Sequence, residues 1–269
     1  MITTETMLAR KSVRTYDGRP IEAETLKKLK AYGEGIETPF GVPVRFVYLD
    51  AKEKGLSSPV LTGEPMYVAG KVDKVPYGEV ALGCAMEELL LYAWSLGLGS
   101  VWIGGTMKRA LFEQAAAVGA GERMPCVSPL GYPAAKMSLR ETVMRRGVGA
   151  DSRLPGEKLF FDGDFSAPLA GKAPAPWGEL LELVRWAPSA VNKQPWRLVL
   201  RGDRVHFYLR HDKGYVSEAV GDMQKIDMGI ALCHLLLGAR ALGRRAAVSL
   251  EDPGLAAPEG GEYIASVFI

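Results

Sequence analysis

Two stretches of the chain are apolar at nearly every position, and they share one pattern. The first covers residues 82–97 and the second residues 228–243, and each closes in Ala-x-x-Leu-Gly. A helix that is apolar on all sides is buried between layers. A glycine directly after the last apolar turn, such as Gly97 or Gly243, favours a helix C-terminus. The pattern therefore predicts two buried central helices.

The segments upstream of these helices also match each other. Residues 43–49 and 195–200 are both typical of strands that follow a turn proline, and helical patterns precede them at residues 21–32 and 177–186. The strand match is offset by 152 residues and the long-helix match by 146. Two matches in the same order at almost the same offset indicate an internal duplication.

The two copies end differently. After its long helix the first copy continues with Trp-Ile-Gly-Gly, a predicted helix over residues 109–117 and a predicted strand over residues 126–133. The second copy ends in a predicted strand over residues 263–269. Between the copies runs a polar connector, from residue 134 to about residue 176. Its composition leaves two interpretations open, a linker or a segment that wraps across the opposite half.

Composition and charge narrow the class of protein. The 269 residues are 48% hydrophobic, and 33 basic residues stand against 31 acidic ones. A non-specific nucleic-acid binder needs a strong basic excess, so we expect no nucleic-acid partner and a small anionic ligand instead. No apolar run reaches the ~20 residues that cross a bilayer, and the N-terminus has no signal architecture. We expect a soluble, cytoplasmic protein without a membrane partner.

The cysteines and histidines do not indicate a metal site. Cys84, Cys126 and Cys233 lie far apart in apolar stretches, which favours buried free thiols. They form no CxxC pair and no ligand spacing with the three histidines, so we expect no structural metal.

Three short segments carry candidate chemistry, and each also has a plain structural interpretation. Residues 10–16 place two guanidiniums and a hydroxyl close together, which can hold a phosphate dianion or form a solvated basic stretch. Residues 187–196 lie between a helix and a strand and offer Asn192 to a heterocycle edge, or they form a turn that seats Trp196 in the core. The glycines of Trp-Ile-Gly-Gly let a ligand approach the backbone, or they form an ordinary turn.

Taken together, these segments resemble the nitroreductase family. Arg-Lys-Ser-Val-Arg-Thr-Tyr, beginning at Arg10, is similar to the opening motif of the family, and Ala-Pro-Ser-Ala-Val-Asn-Lys-Gln-Pro-Trp-Arg, beginning at Ala187, is similar to its flavin-loop motif. The end of the first long helix, the Trp-Ile-Gly-Gly turn and Leu-Gly-Tyr-Pro at residues 130–133 are also similar to family features. The resemblance implies the α+β class with the three-layer α/β/α nitroreductase fold, here duplicated within one polypeptide.

The resemblance also implies an FMN site. Family members are intertwined homodimers in which one subunit grips the FMN phosphate and the other reaches the isoalloxazine ring. Carried over to this chain, the phosphate would be held by Arg10, Ser12 and Arg153. Lys11 would flank the ring through its backbone, and Arg14 would lie near the flavin N1/O2 edge. The remaining ring contacts would come from Gly104 and Gly105 beside N5 and from Pro188, Ser189, Ala190 and Asn192.

Comparison of the two copies predicts one site instead of two. With Pro43 aligned on Pro195, Ile36, Glu37 and Phe40 stand opposite Pro188, Ser189 and Asn192, so the first copy lacks the flavin loop. The second copy has residues 157–162, without an arginine pair, where the phosphate motif is expected. The retained motifs are complementary across the interface. We therefore expect a monomeric single-chain pseudo-dimer with one FMN, composed of halves over residues 1–150 and 151–269.

The resemblance implies ping-pong chemistry, in which NADH or NADPH delivers hydride to flavin N5 and a small acceptor, such as a nitroaromatic or a quinone, is then reduced. No side-chain catalyst is implied, because the cofactor carries the chemistry; Arg14 and Gly105 would tune the flavin. The main alternative is a flavin-binding carrier or regulatory protein with little reductase activity. Flavin fragmentation, reductive dehalogenation and ene reduction are further family reactions, and a purely structural role is disfavoured because the retained motifs are complementary.

Overall fold

A computed structural model describes residues 1–169, 171, 173–258 and 260–269. The helices in these residues are α1 (Thr4–Ala9), α2 (Ala23–Glu34), α3 (Gly78–Ser95), α4 (Arg109–Ala115), α5 (Leu139–Gly147), α6 (Trp177–Trp186) and α7 (Met223–Ala241). The strands are β1 (Arg45–Asp50), β2 (Met66–Asp73), β3 (Gly99–Ser100), β4 (Glu122–Arg123), β5 (Val127–Gly131), β6 (Phe160–Asp162), β7 (Trp196–Arg201), β8 (Arg204–Arg210), β9 (Val216–Ser217), β10 (Gly221–Asp222), β11 (Ala247–Ser249) and β12 (Gly261–Phe268). Short 3-10 turns lie at Gly156–Lys158 and Ala190–Asn192.

The strands form two main sheets. In the first, β1, β2, β5 and β3 follow in this order as antiparallel neighbours, and β4 pairs with β2. In the second the order is β11, β12, β8, β7, β6, with β6 and β7 parallel and the other neighbours antiparallel. β9 and β10 form a small hairpin before α7. Helices packed on largely antiparallel sheets place the chain in the predicted α+β class.

Alternate residues of β2 show how the first sheet is covered. Tyr67 and Ala69 face a core shared with α4, where the Tyr67 ring meets Phe112 edge to face with centroids 4.9 Å apart. Val68 and Val72 face the core that contains α3. Because neighbouring strand residues point to opposite faces, this sheet lies between α4 and α3 in three α/β/α layers.

α3 and α7 are buried on nearly all sides and pack against each other, with α3 on the first sheet and α7 on the second. This arrangement confirms the two predicted central helices. Gly97 and Gly243 follow the helices with φ of 82° and 69°, in the left-handed region where glycine ends helices. α7 begins before its apolar stretch because the Asp222 carboxylate caps it, accepting hydrogen bonds from the backbone N–H groups of Gln224 and Lys225.

The two central helices cross at a pair of glycines. A β-carbon on Gly83 would lie 2.1 Å from the carbonyl oxygen of Ile226, and a β-carbon on Gly229 would lie 2.0 Å from the carbonyl oxygen of Val80. Backbones this close leave no room for a side chain. Gly229 and Ile226 lie 146 residues beyond Gly83 and Val80. The two contacts are therefore related to each other by the same shift of 146 residues.

The connector is bonded to the N-terminal segment and to the second sheet, and is not a free linker. The Glu141 carboxylate on α5 accepts hydrogen bonds from Arg14 N at 3.1 Å and from Thr15 Oγ1 at 2.7 Å. Further along, β6 joins the second sheet beside β7. Ala170 and Lys172 of this connector lie outside the described residues.

Other expectations about burial are also met. Cys84, Cys126 and Cys233 are buried free thiols, and Trp196 is fully buried in the core, as predicted. Within the described residues, no helix combines the length and the apolar character needed to cross a membrane.

Candidate functional site

A cavity of about 800 Å³ lies where five segments of the chain meet. They are residues 7–14, the turn at 101–106, the connector at 144–153, the loop at 186–192 and the first half of α7. A cavity of this volume suits a cofactor or another small ligand. The structure places every predicted site residue on its wall: Arg10, Lys11, Ser12, Arg14, Gly104, Gly105, Arg153, Pro188, Ser189, Ala190 and Asn192.

The N-terminal segment presents its polar residues to the cavity because it is extended. α1 is fixed by a capping box between Thr3 and Thr6, and the chain then runs alongside β3, where Val13 N donates to the Ser100 carbonyl at 2.9 Å. Alternate residues of an extended segment face the same side. Arg10, Ser12 and Arg14 therefore line the cavity, while Val13 is packed in the core.

Three half-buried arginines on the wall have buried nitrogen atoms that make no hydrogen bond within the described residues. Nε and Nη2 of Arg10, Nε and Nη1 of Arg14 and Nε of Arg153 have no hydrogen-bond partner among the residues that the structure describes. Burial lowers the pKa of Arg14, and burial followed by the nearby charges of Arg10 and Arg185 lowers the pKa of Arg153 to about 10. Buried donors that carry positive charge strongly favour an anionic ligand.

Arg153 is held rigidly from the connector side. Its Nη1 donates to the carbonyls of Ala150 and Ser152, at 3.1 Å and 2.7 Å, and its Nη2 donates to the carbonyl of Trp186 at 3.0 Å. The guanidinium carbon lies 4.8 Å from the centre of the Trp186 ring, within the range of a cation–π contact. Arg153 Nε makes no hydrogen bond within the described residues and is available to a ligand.

The loop after α6 has an unusual backbone that its own side chains stabilise. Val191, Asn192 and Gln194 have positive φ of 49°, 57° and 50°, a region that β-branched residues such as valine rarely adopt. Ser189 Oγ accepts a hydrogen bond from Gln194 N at 2.8 Å, and Gln194 Nε2 donates to the Asn192 carbonyl at 3.1 Å. The loop is therefore built as a rigid unit on the cavity wall.

Asn192 also fixes the loop to the connector, a structural role that the sequence did not predict. Its Nδ2 donates to the carbonyls of Gly149 and Ser152, at 2.9 Å and 3.1 Å. We expected both ends of this amide to be available to a heterocycle, but its nitrogen ties the loop to the connector. Its location on the wall agrees with the prediction, and the amide nitrogen is already bonded.

The glycines of the Trp-Ile-Gly-Gly turn leave room for a ligand to approach the backbone on one wall of the cavity. A β-carbon on Gly105 would meet no atom of the described residues within 4 Å, whereas one on Gly104 would lie 2.8 Å from Met223 Cε. Arg109 fixes the turn, because its Nη2 donates to the carbonyls of Gly104 and Pro125, both at 2.9 Å. The Gly105 backbone therefore borders open space.

A buried carboxylate that the sequence analysis missed lies behind Arg10. Glu87 Oε2 accepts from Trp102 Nε1 at 2.8 Å and lies 3.8 Å from Arg10 Nη2, and Oε1 is 3.1 Å from His234 Nε2. Burial by itself would raise the pKa of Glu87, but Arg10, His234 and Trp102 together lower it. His234 also lines the cavity, and its Nδ1 is buried without a partner in the described part of the chain. The available signal was the acidic pair Glu87-Glu88 within the apolar pattern of α3.

A second buried acid on the wall was also missed. Asp227 of α7 is 3% exposed. Its Oδ1 accepts a hydrogen bond from Ala190 N at 3.0 Å, and its Oδ2 has no partner within the described ranges. Burial raises the pKa of Asp227 well above its ordinary value. The signal in the sequence was an acidic residue directly before the apolar stretch at residues 228–243.

One group of potential metal ligands lies away from this cavity. His211, Asp222 and Glu262 bring ligand-type atoms within 4.8 Å of one another, which residue spacing did not predict. Lys225 Nζ lies 2.8 Å from Glu262 Oε1, so a lysine already neutralises part of the charge that a cation would need.

Comparison with protein families and curated proteins gives one match. The family model described as "Putative TM nitroreductase" matches residues 2–239. No curated protein matches the chain.

Solved structures resemble the fold. A nitroreductase from Thermotoga maritima, described as putative, is 19% identical with a TM-score of 0.63, and the match covers 100% of this chain and 94% of that one. A nitroreductase family protein from Clostridium difficile 630 is 19% identical over 58% of this chain and 94% of its own, with a TM-score of 0.45. An FMN-dependent nitroreductase from Clostridium difficile R20291 is 20% identical over 52% and 94%, with a TM-score of 0.42. At these identities the likeness to the Thermotoga protein concerns the fold alone.

Proposed function

Because this chain belongs to the putative TM nitroreductase family, we propose that it is an FMN-dependent oxidoreductase that uses NADH or NADPH to reduce a small electron acceptor, such as a nitroaromatic or a quinone. One observation carries the proposal. Buried guanidinium nitrogens that lack partners among the described residues line a cavity of about 800 Å³, together with a turn and a loop that offer backbone groups. This donor set suits a ligand with an anionic end and a flat polar end.

We assign the anionic end of the ligand to Arg10, Ser12 and Arg153. Arg10 and Arg153 each keep an Nε donor without a partner in the described residues, and a phosphate dianion accepts charge-assisted hydrogen bonds from such groups. Lowering of the Arg153 pKa to about 10 leaves its guanidinium charged at neutral pH. The donor chemistry of this end therefore fits the phosphate of FMN.

We assign the flat end to the turn at Gly104 and Gly105 and to the loop at residues 186–192, which both line the cavity. Gly105 borders space that admits a ring close to the backbone, and Gly104 continues the same turn. Pro188, Ser189, Ala190 and Asn192 form the rigid loop that faces this space, and the remaining contacts would come from Lys11 through its backbone and from Arg14 near the N1/O2 edge. A polar heterocycle edge suits such backbone donors and acceptors.

We further propose that the chain is a single-chain pseudo-dimer with one FMN, acting as a monomer. The reciprocal contacts Gly83–Ile226 and Gly229–Val80 have the form of an isologous interface, in which residue i meets j and j meets i. The boundary of the two halves would fall near residue 150. In support, α5 bonds to Arg14 of the first half, and β6 pairs with β7 of the second.

Bound FMN would accept hydride from a reduced nicotinamide and pass two electrons to the acceptor. The chain itself would bind and orient the cofactor and tune it. Arg14 would place positive charge at the N1/O2 edge, which favours the negative charge that develops there on reduction. A backbone N–H at Gly105 would donate to N5. We assign no side chain as a catalytic residue.

The test is flavin content followed by turnover. The purified protein is expected to show a flavin absorbance spectrum with one FMN per chain. Replacement of Arg10 and Arg153 together by alanine should abolish FMN binding, whereas Arg244→Ala, at an exposed position outside the cavity, should not. Two FMN per chain, or none, would contradict the proposal.

Turnover separates the reductase from the main alternative, a flavin carrier or regulatory protein. NADH and NADPH oxidation should be measured with a quinone and with a nitroaromatic as acceptor. A protein that holds FMN but whose flavin neither nicotinamide reduces would be a carrier, and the reductase proposal would be lost while the binding site stands.

A further inference from the structure

Asp227 is a buried acid that faces the proposed flavin cavity with one oxygen unused. It lies on the first half of α7, is 3% exposed and contributes to the cavity wall. Its Oδ1 accepts a hydrogen bond from Ala190 N, at 3.0 Å, and so holds the loop that we assign to the flavin ring. Its Oδ2 is buried and has no partner in the part of the chain that the structure describes.

The groups around Asp227 would not neutralise a negative charge on its carboxylate. No ion pair reaches it among the described residues. On its own element, the Asp222 carboxylate adds negative potential. On the segment before β5, burial raises the pKa of the neighbouring Cys126 thiol to about 12, so this group stays neutral. Arg109, which lies near Cys126, is already bonded to three backbone carbonyls.

A carboxyl group in this position is more stable with its proton. An uncompensated buried carboxylate costs several kcal/mol, and the group instead keeps its proton. Burial accordingly raises the pKa of Asp227 well above its ordinary range. Because Oδ1 already accepts from Ala190 N, the proton belongs on Oδ2. Oδ2 is then a donor, and a buried donor without an acceptor is itself unfavourable.

Comparison of the two copies links this acid to the flavin loop. The residue 146 positions before Asp227 is Ala81, at the matching place on α3. The loop of the first copy has Ile36, Glu37 and Phe40 where the second has Pro188, Ser189 and Asn192. The acid thus occurs only in the copy that keeps the loop residues, where it bonds the loop. A role confined to helix packing would give no reason for this coincidence.

We propose that Asp227 donates its Oδ2 hydroxyl to a carbonyl oxygen or an unprotonated ring nitrogen of the flavin bound in the cavity, while its Oδ1 holds the loop at Ala190. This inference rests on the proposed function, because it takes FMN as the occupant. It makes Asp227 a cofactor-contacting residue that ties the position of the loop to the ring. The hydroxyl donor gains its acceptor only when the cavity is filled.

The first test is FMN affinity, measured by fluorescence quenching on flavin-free protein. Asp227→Asn keeps an acceptor oxygen for Ala190 N and a donor for the flavin, so the Kd for FMN should stay within about twofold of the wild-type value. Asp227→Leu has a similar volume and neither group, and its Kd should rise by about tenfold, the effect of one lost hydrogen bond of ordinary strength. Cys233→Ala, a core change on the same helix outside the cavity, should leave the Kd unchanged.

The second test observes the proton directly and does not depend on turnover. In infrared difference spectra between dithionite-reduced and oxidised FMN-loaded protein, the wild type should show the carbonyl stretch of a protonated carboxyl group, shifted in heavy water. Asp227→Asn should lack this band. This measurement remains informative if Asp227→Leu fails to fold, because the asparagine variant retains the bonded geometry.

The outcomes separate this inference from the proposed function. If the wild type binds no FMN, both are overturned. If it binds FMN but the carboxyl band is missing, or if the folded leucine variant binds FMN as tightly as the wild type, the role of Asp227 alone is overturned. If FMN binds and NADH and NADPH fail to reduce it, the reductase proposal fails, and the dithionite experiment still decides the role of Asp227.

Discussion

Gly83 on α3 lies so close to Ile226 on α7 that a β-carbon on the glycine would stand 2.1 Å from the Ile226 carbonyl oxygen. Gly229 stands in the same relation to Val80, at 2.0 Å. The obstructing atoms belong to the backbone of a packed helix, which cannot move aside as a side chain can. The contact between the two central helices therefore depends on glycine at both positions.

Gly83→Ala and Gly229→Ala should each destabilise the protein by about 2 kcal/mol or more, because the helices must separate to admit the methyl group. Urea denaturation would measure the change. Gly238→Ala on α7 is the matched control, since its β-carbon would approach the movable Leu183 Cδ1 at 2.6 Å and alanine favours the helix. If all three variants were equally stable, the close approach of α3 and α7 at Gly83 and Gly229 would be contradicted.

Gly105→Ala should separate folding from binding. Its β-carbon would meet no described protein atom within 4 Å, so the melting temperature of the flavin-free protein should stay the same. Gly105 lines the cavity that we assign to the flavin, so a methyl group there should compete with the ring for space and lower FMN affinity by about tenfold or more, the equivalent of about 1.4 kcal/mol. Undiminished affinity would remove Gly105 from the ring contact.

Arg14→Ala should lower the reduction potential of bound FMN and slow turnover, because a buried positive charge is lost from the edge assigned to N1 and O2. A loss of about 1.4 kcal/mol corresponds to about 30 mV for a two-electron couple. Spectroelectrochemical titration measures the potential, and Arg14→Lys, which keeps the charge, should restore part of it. A potential unchanged by the alanine substitution would exclude this role for Arg14.

Asp227→Asn should stabilise the flavin-free protein increasingly as the pH rises. The pKa of Asp227 is raised in the folded state by burial, so above its ordinary value of 3.8 the unfolded chain releases this proton while the folded protein keeps it. Wild-type stability therefore falls relative to the variant by about 1.4 kcal/mol per pH unit until the pH passes the folded pKa. Denaturation at a series of pH values measures this slope. A pH-independent difference would mean that Asp227 is ionised when folded.

Glu87→Gln should destabilise the protein by about 3 kcal/mol at neutral pH, because Arg10 and His234 lose a buried charged partner. The pKa of Glu87 is lowered in the folded state. Its contribution is therefore fully present above 4.5, its ordinary value, and is lost as the pH falls through the folded value. The control is Glu88→Gln, whose carboxylate bonds to Tyr32 and Arg240 and should matter less. An equal loss at pH 3 and pH 7 would argue against an ionised Glu87.

Local features of the fold were predictable because they depend on neighbouring residues. Trp177–Trp186 forms the predicted helix, and Gly97 and Gly243 end the central helices as expected. The alternation that turns Arg10, Ser12 and Arg14 toward one side follows from an extended segment. The predicted ends of the helices differ from the observed ends by a few residues where a capping residue sets the boundary, as Asp222 does for α7.

The sequence by itself determined the family, the two buried helices and the segments at residues 10–14, 104–105 and 188–192 that line part of the cavity, because hydrophobic periodicity and short motifs are properties of adjacent residues. Only the tertiary structure decided the burial of Asp227, the bonding of Asn192 and the partners of Glu87. Glu87 and His234 are separated by 147 positions, and Arg14 and Glu141 by 127. Electrostatics and burial depend on distance through space, and the fold alone sets which distant groups become neighbours.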